Sequence, residues 1–313
     1  MSVEKDKRIG RFFGWVFLSI AVFLSRIIPY KLVCFFGVLF GRLASIFAIK
    51  HIKIGREALN IAFPQKSQKE KNQILRRSFE HLGIVGWETL SFVFKKHLLD
   101  NLVEVRGLDN LKQALAKNKG VIGVSAHFGN FPLIPLKLNR LGFEINVMAR
   151  PMRHRQSGDI IHNLRETTGV KTIFSYPRNS AVFNSLKALK RKEILIMHMD
   201  QNFGTGGVWV KFFNKLAATP IGPIVFAMRT QAAVVPMFVI RENGRNVVYI
   251  EKEYILIEKE DKDEAVLDNV IGITNIIEGW VRKYPDQWGW IHRRWKSRPT
   301  EKIMSQRFKV QKD

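Results

Sequence analysis

Gly120-Val-Ile-Gly-Val-Ser-Ala-His-Phe-Gly-Asn-Phe-Pro-Leu133 is the stretch whose reading decides the fold. Residues 121–126 form a short apolar run, with Gly120 before it and polar or Gly residues after it, the pattern of a buried strand. Phe131-Pro-Leu-Ile-Pro-Leu-Lys-Leu138 then reads as the start of a helix. Pro132 suits a first turn, where no backbone donor is needed, and Asn130 is placed to cap it. His127 therefore falls where a parallel strand ends and a helix begins. In open α/β sheets that carboxyl edge is where ligands bind. Histidine titrates near neutrality, so a His at this edge can serve as a general base. Gly129 lets a second backbone or a substrate come close. Backbone N–H groups around Gly129 and Asn130 can hold an anion or a developing oxyanion. A capped helix beside a hydrogen-bonded His explains the same residues without catalysis, so the chemistry has to come from the rest of the chain.

Working outward, the rhythm of strand and helix repeats. Strands are expected over 103–105, 144–148, 170–174 and 193–199, and helices over 108–117, 153–168 and 179–190. Such alternation predicts an α/β fold with a mixed, largely parallel sheet flanked by helices. Two later strands, 233–240 and 247–256, flank Glu242-Asn-Gly-Arg245, which reads as a hairpin turn and makes the sheet mixed at one edge. A last helix is expected over 263–283. No internal repeat is present.

The N-terminal part is different. Residues 12–25 carry no charge, with Lys5, Lys7, Arg8 and Arg11 before them and Arg26 and Lys31 after. Fourteen residues fall short of the roughly 20 needed to span a bilayer upright. With Arg26 snorkelling, 12–28 can still cross with distortion. A second apolar run, 32–40, follows Pro29. Basic flanks around apolar runs predict a membrane-associated helical hairpin or re-entrant anchor over 1–50, ahead of a domain over 51–313. A pair of core helices is the soluble reading of the same residues. No small-residue cleavage site follows the apolar core, so a removed signal peptide is not expected. Ser67 and Glu70 form a capping box for a helix running to Trp87-Glu88. On that helix His81 and Glu88 are assigned packing and surface roles.

The chain has 313 residues, 46% of them hydrophobic, enough for one large α/β domain with a helical accessory segment. Lys plus Arg number 51 against 27 Asp plus Glu, a net charge of +24, which calls for an anionic partner or surface. Nucleic acid, anionic lipid headgroups and an acidic protein all qualify. Cys34 is the only cysteine, so neither an intrachain disulfide nor a Cys-based metal site is available.

Three further motifs bear on chemistry. Arg150-Pro151 follows a predicted strand and shares the edge of His127, where an Arg can grip a phosphate or carboxylate with two parallel bonds. Asp200, also at a strand end, can orient an imidazole or cap a turn. His198-x-Asp200 puts two potential ligands on one strand face, too few for a metal. Gly204-Thr-Gly-Gly207 lacks the Gly-Lys-Ser/Thr of a nucleotide loop. The block Tyr284-Pro-Asp-Gln-Trp-Gly-Trp-Ile-His-Arg-Arg-Trp-Lys-Ser-Arg-Pro299 is aromatic and basic. By itself it suits nucleic-acid stacking or an anionic membrane interface.

Ser125-Ala-His-Phe-Gly-Asn-Phe131 resembles the active-site block of the lysophospholipid acyltransferase superfamily, and within it the lipid A biosynthesis lauroyl/myristoyl acyltransferases. Asn60, Phe63 and Pro64, Arg150-Pro151, Arg165 with Gly169, Asp200-Gln201, Gly207-Val-Trp-Val-Lys-Phe-Phe213 and Ala218-Thr-Pro220 match further family segments. The ending from Tyr284 to Pro299 is the longest match. The resemblance implies an acyl-carrier-protein thioester as donor, a hydroxyl of a phosphorylated glycolipid as acceptor, and neither cofactor nor metal. It implies a bacterial inner-membrane protein working on the cytoplasmic side with membrane lipids around it and no nucleic acid. It makes His127 the base, Asp200 a catalytic carboxylate, and Gly129, Asn130, Arg150, Arg165 and Gln201 substrate-binding residues. The segment over 207–223 is expected to wall an acyl groove, or to be plain core. Three positions depart from the pattern. Lys211 stands where Pro is usual, Asn214 where Gly is, and Pro132 occupies the place of the acid in His-x4-Glu/Asp. Either Asp200 supplies the missing carboxylate, or His127 works without one, or the chain is a weak or inactive lipid-binding paralogue.

Overall fold

A computed structural model describes residues 2–152, 154–204, 206–305 and 309–311. Four helices come first, α1 (Ser2–Ile27), α2 (Tyr30–Phe47), α3 (Ile49–Ala62) and α4 (Gln68–Phe94). The α/β part follows as α5 (His97–Leu102), β1 (Val103–Arg106), α6 (Leu108–Ala116), β2 (Val121–Ser125), α7 (Leu133–Arg140), β3 (Ile145–Ala149), α8 (Arg155–Glu166), β4 (Lys171–Phe174), α9 (Arg178–Lys190) and β5 (Ile194–His198). Then come β6 (Val208–Phe212), β7 (Lys215–Thr219), α10 (Gly222–Thr230), β8 (Ala233–Glu242), β9 (Arg245–Ile250) and α11 (Lys262–Lys283).

Every residue of β2 is buried, as its apolar run requires. It lies in the middle of a seven-stranded sheet ordered β1-β9-β8-β2-β5-β3-β4. The strands from β8 to β4 are parallel, β9 runs antiparallel to β8, and β1 runs parallel to β9. Asn243 and Gly244 both have positive φ, which the tight β8–β9 hairpin needs. Side chains alternate along β2 and β5. Ile122, Val124, Leu195 and Met197 enter a core with α3, α4, α9, α10 and α11. Val121, Ile194 and Ile196 enter a second core with α5, α6 and α7. Helices thus cover both faces, the setting in which a largely parallel sheet is stable.

The α4 capping box is complete, with Ser67 N–H donating to Glu70 at 2.8 Å. At Pro29 the chain breaks between α1 and α2 as expected, but the longer apolar helix is α2. Its 18 residues have mean hydropathy 1.6, enough by length and composition to cross a membrane. One side of α2 lies on α4 through glycines. A Cβ on Gly83 would sit 2.1 Å from the Gly37 carbonyl, and one on Gly41 would sit 2.4 Å from the Phe79 carbonyl. The other side leaves Phe35, Ile46 and Phe47 more than 60% exposed, an apolar strip uncovered among the described residues. The flank Lys5, Lys7, Arg8 and Arg11 lies where side chains fall outside the described residues.

Two local expectations are corrected. The N-cap of α7 is Pro132, without a side-chain cap bond, while Asn130 turns away into the interior. The helix expected from 153 is described from Arg155, capped by His154, and Arg153 itself lies outside the described residues. The segment over 208–219 is a two-stranded antiparallel hairpin whose Val208, Val210 and Phe212 are buried in the core.

Candidate active site

The parallel strands deliver their C-terminal ends to one edge. β2 brings His127 there, and its neighbour β5 brings His198 and Asp200. His127 Nδ1 lies 2.8 Å from Asp200 Oδ1, and the His127 backbone N–H donates to Oδ2 at 2.9 Å. The indole Nε1 of Trp288 donates to the same Oδ2 at 2.9 Å. Three donors therefore converge on one carboxylate that is 1% exposed. Burial by itself raises a carboxyl's pKa. Here the charge of His127 and its hydrogen bond outweigh burial and hold Asp200 well below the usual carboxylate range. Beside an ionised Asp200 the neutral tautomer of His127 carries its proton on Nδ1, and Nε2 is then the nitrogen that can accept one.

Two more imidazoles stand beside this pair. The His198 ring is 4.6 Å and the His292 ring 5.2 Å from that of His127. Burial and then the charge of His127 push His198 down to about 3, so it stays neutral. Burial also pushes His292 down. Gln201 places its amide nitrogen 3.2 Å from His292 Nε2. Among the described residues no group of three or more side chains is arranged to hold a metal ion.

The other expected substrate residues lie as follows. The amide of Gly129 donates to the Gln287 carbonyl at 2.8 Å. Its φ is +56°, and a Cβ there would sit 1.7 Å from the Val239 carbonyl. Gly129 is thus needed for a close approach of the protein's own backbone to β8. Asn130 is fully buried; its amide donates to Glu88 at 2.8 Å and its carbonyl accepts from Thr89 at 2.9 Å. Its side chain ties the loop after His127 to α4. Arg150 is exposed at the end of β3, two strands from β2, hence roughly 10 Å across the sheet. Arg165 on α8 is half-buried, has no acceptor among the described residues, and adds its charge to the field on His198.

Sequence reasoning missed the role of Glu88. It is 1% exposed and accepts from Arg241 at 2.7 Å, from Asn130, and from the Tyr30 hydroxyl. The attraction of Glu88 outweighs burial and raises the pKa of Arg241. The pair links α2, α4, β8 and the His127 loop. Its only signal in the sequence was a carboxylate on an otherwise apolar stretch of α4. Taken alone, the C-terminal block also concealed a packing role. Trp288, Trp290 and Arg294 are buried, Ser78 donates to the Trp288 carbonyl at 2.8 Å, and the Gln287 side chain joins Arg241 at both its N–H and carbonyl. The block is a clasp that closes the site over β2, not a stacking surface.

A His–Asp pair with its carboxylate buried at the edge of such a sheet, closed by a Trp-Gly-Trp clasp, is what the comparison with known proteins explains. The sequence profile described as Bacterial lipid A biosynthesis acyltransferase matches residues 2–297. The chain belongs to this family. It is similar to the Lipid A biosynthesis palmitoleoyltransferase of Escherichia coli (strain K12), 29% identical over 283 residues, 87% of each chain. It is also similar to the Lipid A biosynthesis lauroyltransferase of the same organism, 25% identical over 279 residues, 87% of this chain and 88% of the other. A shorter likeness, 24% over 133 residues and 42% of each chain, joins it to a Phosphatidylinositol mannoside acyltransferase of Mycobacterium tuberculosis. Membership makes the chain an O-acyltransferase of lipid A biosynthesis, with a lipid acceptor and an acyl donor.

Proposed function

We propose that the chain moves a fatty acyl group from an acyl-carrier-protein thioester to a hydroxyl of a phosphorylated glycolipid, a lipid A precursor. Residues 1–50 anchor it in the bacterial inner membrane, and residues 51–313 carry out the reaction on the cytoplasmic side. The observation that carries the mechanism is the 2.8 Å contact between His127 Nδ1 and Asp200.

In the reaction His127 Nε2 takes the acceptor hydroxyl's proton while the oxygen attacks the thioester carbonyl. Asp200 stabilises the imidazolium that forms, in the role Pro132 cannot fill. The Gly129 backbone N–H already donates to Gln287, so the backbone N–H of Asn130, which makes no bond among the described residues, is the donor left for the oxyanion. As the tetrahedral intermediate collapses, the thiol leaves with the proton held by His127. Arg150 and Arg165 bind a phosphate of the donor or the acceptor. Gln201, whose amide nitrogen lies beside His292, contacts the substrate. The +24 charge suits an acidic carrier and an anionic bilayer.

The test is acyl transfer by the full chain in detergent, with an acyl-carrier-protein thioester and a phosphorylated glycolipid, read by mass spectrometry. Wild type acylates the lipid, and His127→Ala does not while folding and fractionating as before. Equal turnover by the variant removes His127 from the mechanism. Tight lipid binding without turnover by wild type selects the inactive-paralogue reading, for which Pro132 is the motive.

A further inference from the structure

A cleft of about 410 Å³ opens between α3 and the C-terminal clasp. One side is a single face of α3, with Lys50, Lys53, Ile54, Glu57, Ala58 and Ile61 at helical spacing. The other is the run from His292 to Lys296. Five of its lining residues are cations and one is a carboxylate. Lys50, Lys53, Arg293 and Lys296 are exposed, and none has an ion-pair partner among the described residues.

Arg294 adds an independent sign. It is 1% exposed, it donates to the Gln201 carbonyl at 3.2 Å and the Thr219 hydroxyl at 2.6 Å, and its Nε has no acceptor. Burial pushes it down to about 10, so it remains charged at neutral pH. A buried guanidinium held by carbonyls and a hydroxyl, with no carboxylate in contact among the described residues, leaves a positive field in the cleft wall.

The two ends of the cleft say what fits it. At one end α3 starts at Ile49, directly after the exposed Ile46 and Phe47 of α2, so Lys50 and Lys53 lie at the rim of the apolar strip. Lysines at such a rim sit at headgroup depth when the strip is in a bilayer. At the other end His292 lies 5.2 Å, ring to ring, from His127. His127 does not itself line the cleft, so a ligand with apolar chains beside α2 and a phosphate on the lysines has to bring its hydroxyl past His292. The volume lies in the range of small-ligand pockets.

We infer that this cleft is the binding site for the phosphate-bearing sugar of the membrane glycolipid acceptor, entered sideways from the bilayer. The assignment rests on the acyl-transfer reading for the identity of the lipid, and it leaves Arg150 and Arg165, on the β3 side of His127, to the donor's phosphate.

The experiment uses the full chain in nanodiscs of dioleoylphosphatidylcholine. The probes are a synthetic diacylated glucosamine disaccharide with two phosphates, the same lipid stripped by phosphatase, and dioleoylphosphatidylglycerol. The variant is Lys53→Ala with Lys296→Ala; both side chains are exposed, so the fold is retained. Wild type binds the phosphorylated lipid about tenfold or more tightly than the stripped one, as charge-assisted contacts require. The double variant loses that difference and binds the stripped lipid as wild type does. In turnover its KM for the acceptor rises about tenfold, while the KM for the acyl carrier protein stays put. Equal binding of both lipids by wild type overturns the proposal. So does displacement of the probe by phosphatidylglycerol at matched concentration, which would make the cleft a general anionic-lipid contact. A rise in donor KM alone would make it a carrier-protein surface and equally overturn it. The binding arm needs no turnover. Phosphate-dependent binding in an inactive chain upholds the cleft and defeats the catalytic reading, and turnover without such binding defeats the cleft alone.

Discussion

Replacing Asp200 by Asn tests the His–Asp pair most directly. The two carboxylate oxygens face three donors, His127 Nδ1 at 2.8 Å, the His127 amide at 2.9 Å and the Trp288 indole at 2.9 Å. Asn offers one oxygen and one NH₂. The amide and the indole can only donate and share one oxygen, so the Asn carbonyl takes that position. Its NH₂ then faces His127 Nδ1, and the imidazole proton moves to Nε2 to let Nδ1 accept. The atom that must take the substrate's proton is now occupied. The equivalent exchange in a Ser-His-Asp triad lowers kcat about 10⁴-fold, or roughly 5.5 kcal/mol of barrier at 1.36 kcal/mol per tenfold. We expect kcat/KM to fall about 10³- to 10⁴-fold. All three contacts survive, so stability changes by about 1 kcal/mol and Tm by roughly 2–4 °C. Asp200→Ala behaves differently, because it strands the indole and amide donors at about 1–3 kcal/mol each. Steady-state kinetics and melting curves on one preparation decide the matter. If Asp200→Asn keeps more than a tenth of wild-type activity, the tautomer argument is refuted. The pH dependence has a definite sign. Asp200 binds protons more weakly folded than unfolded. Its charge-linked stability is thus fully present above the unfolded carboxylate range near about 3.9 and is lost only as pH falls through its lower folded value. The Tm gap between wild type and Asp200→Asn should narrow in strong acid.

Glu88→Ala should cost about 3–5 kcal/mol by leaving Arg241 unpaired in the interior, whereas Glu88→Gln should cost less; equal melting temperatures for wild type and Glu88→Ala would refute this. His81 is buried, its Nε2 lacks a partner, and burial pushes it down to about 4. Its folded value lies below the unfolded 6.5, so stability is full above that and falls as the unfolded chain protonates. Wild type should lose about 2 kcal/mol between pH 7 and 5 that His81→Phe does not, read from melting curves in detergent. The full chain should stay with membranes through a high-salt wash and need detergent for release, and a chain lacking the first 30 residues should be extracted more easily. Recovery of full-length protein in buffer alone would refute the anchor.

What the sequence by itself determined is what nearest neighbours decide. The strand over 121–125, the turn that follows it, the Ser67–Glu70 capping box and the Asn243-Gly244 hairpin all depend on residues within a few positions of one another. The alternation of strand and helix then left little choice but a largely parallel sheet, whose C-terminal edge had to carry His127, Arg150 and Asp200. Only the tertiary structure decided which of these meet. The His127–Asp200 contact spans 73 residues, Trp288–Asp200 spans 88 and Glu88–Arg241 spans 153. No periodicity within one segment reports on such contacts, because they depend on which strands are neighbours. β2 and β5 are adjacent, so His127 and Asp200 pair, while β3 lies one strand further out and keeps Arg150 at a distance. Burial had the same non-local cause. Asn130, Glu88 and Arg294 are polar side chains that local pattern assigns to caps and surfaces, and they are interior because other segments close over them.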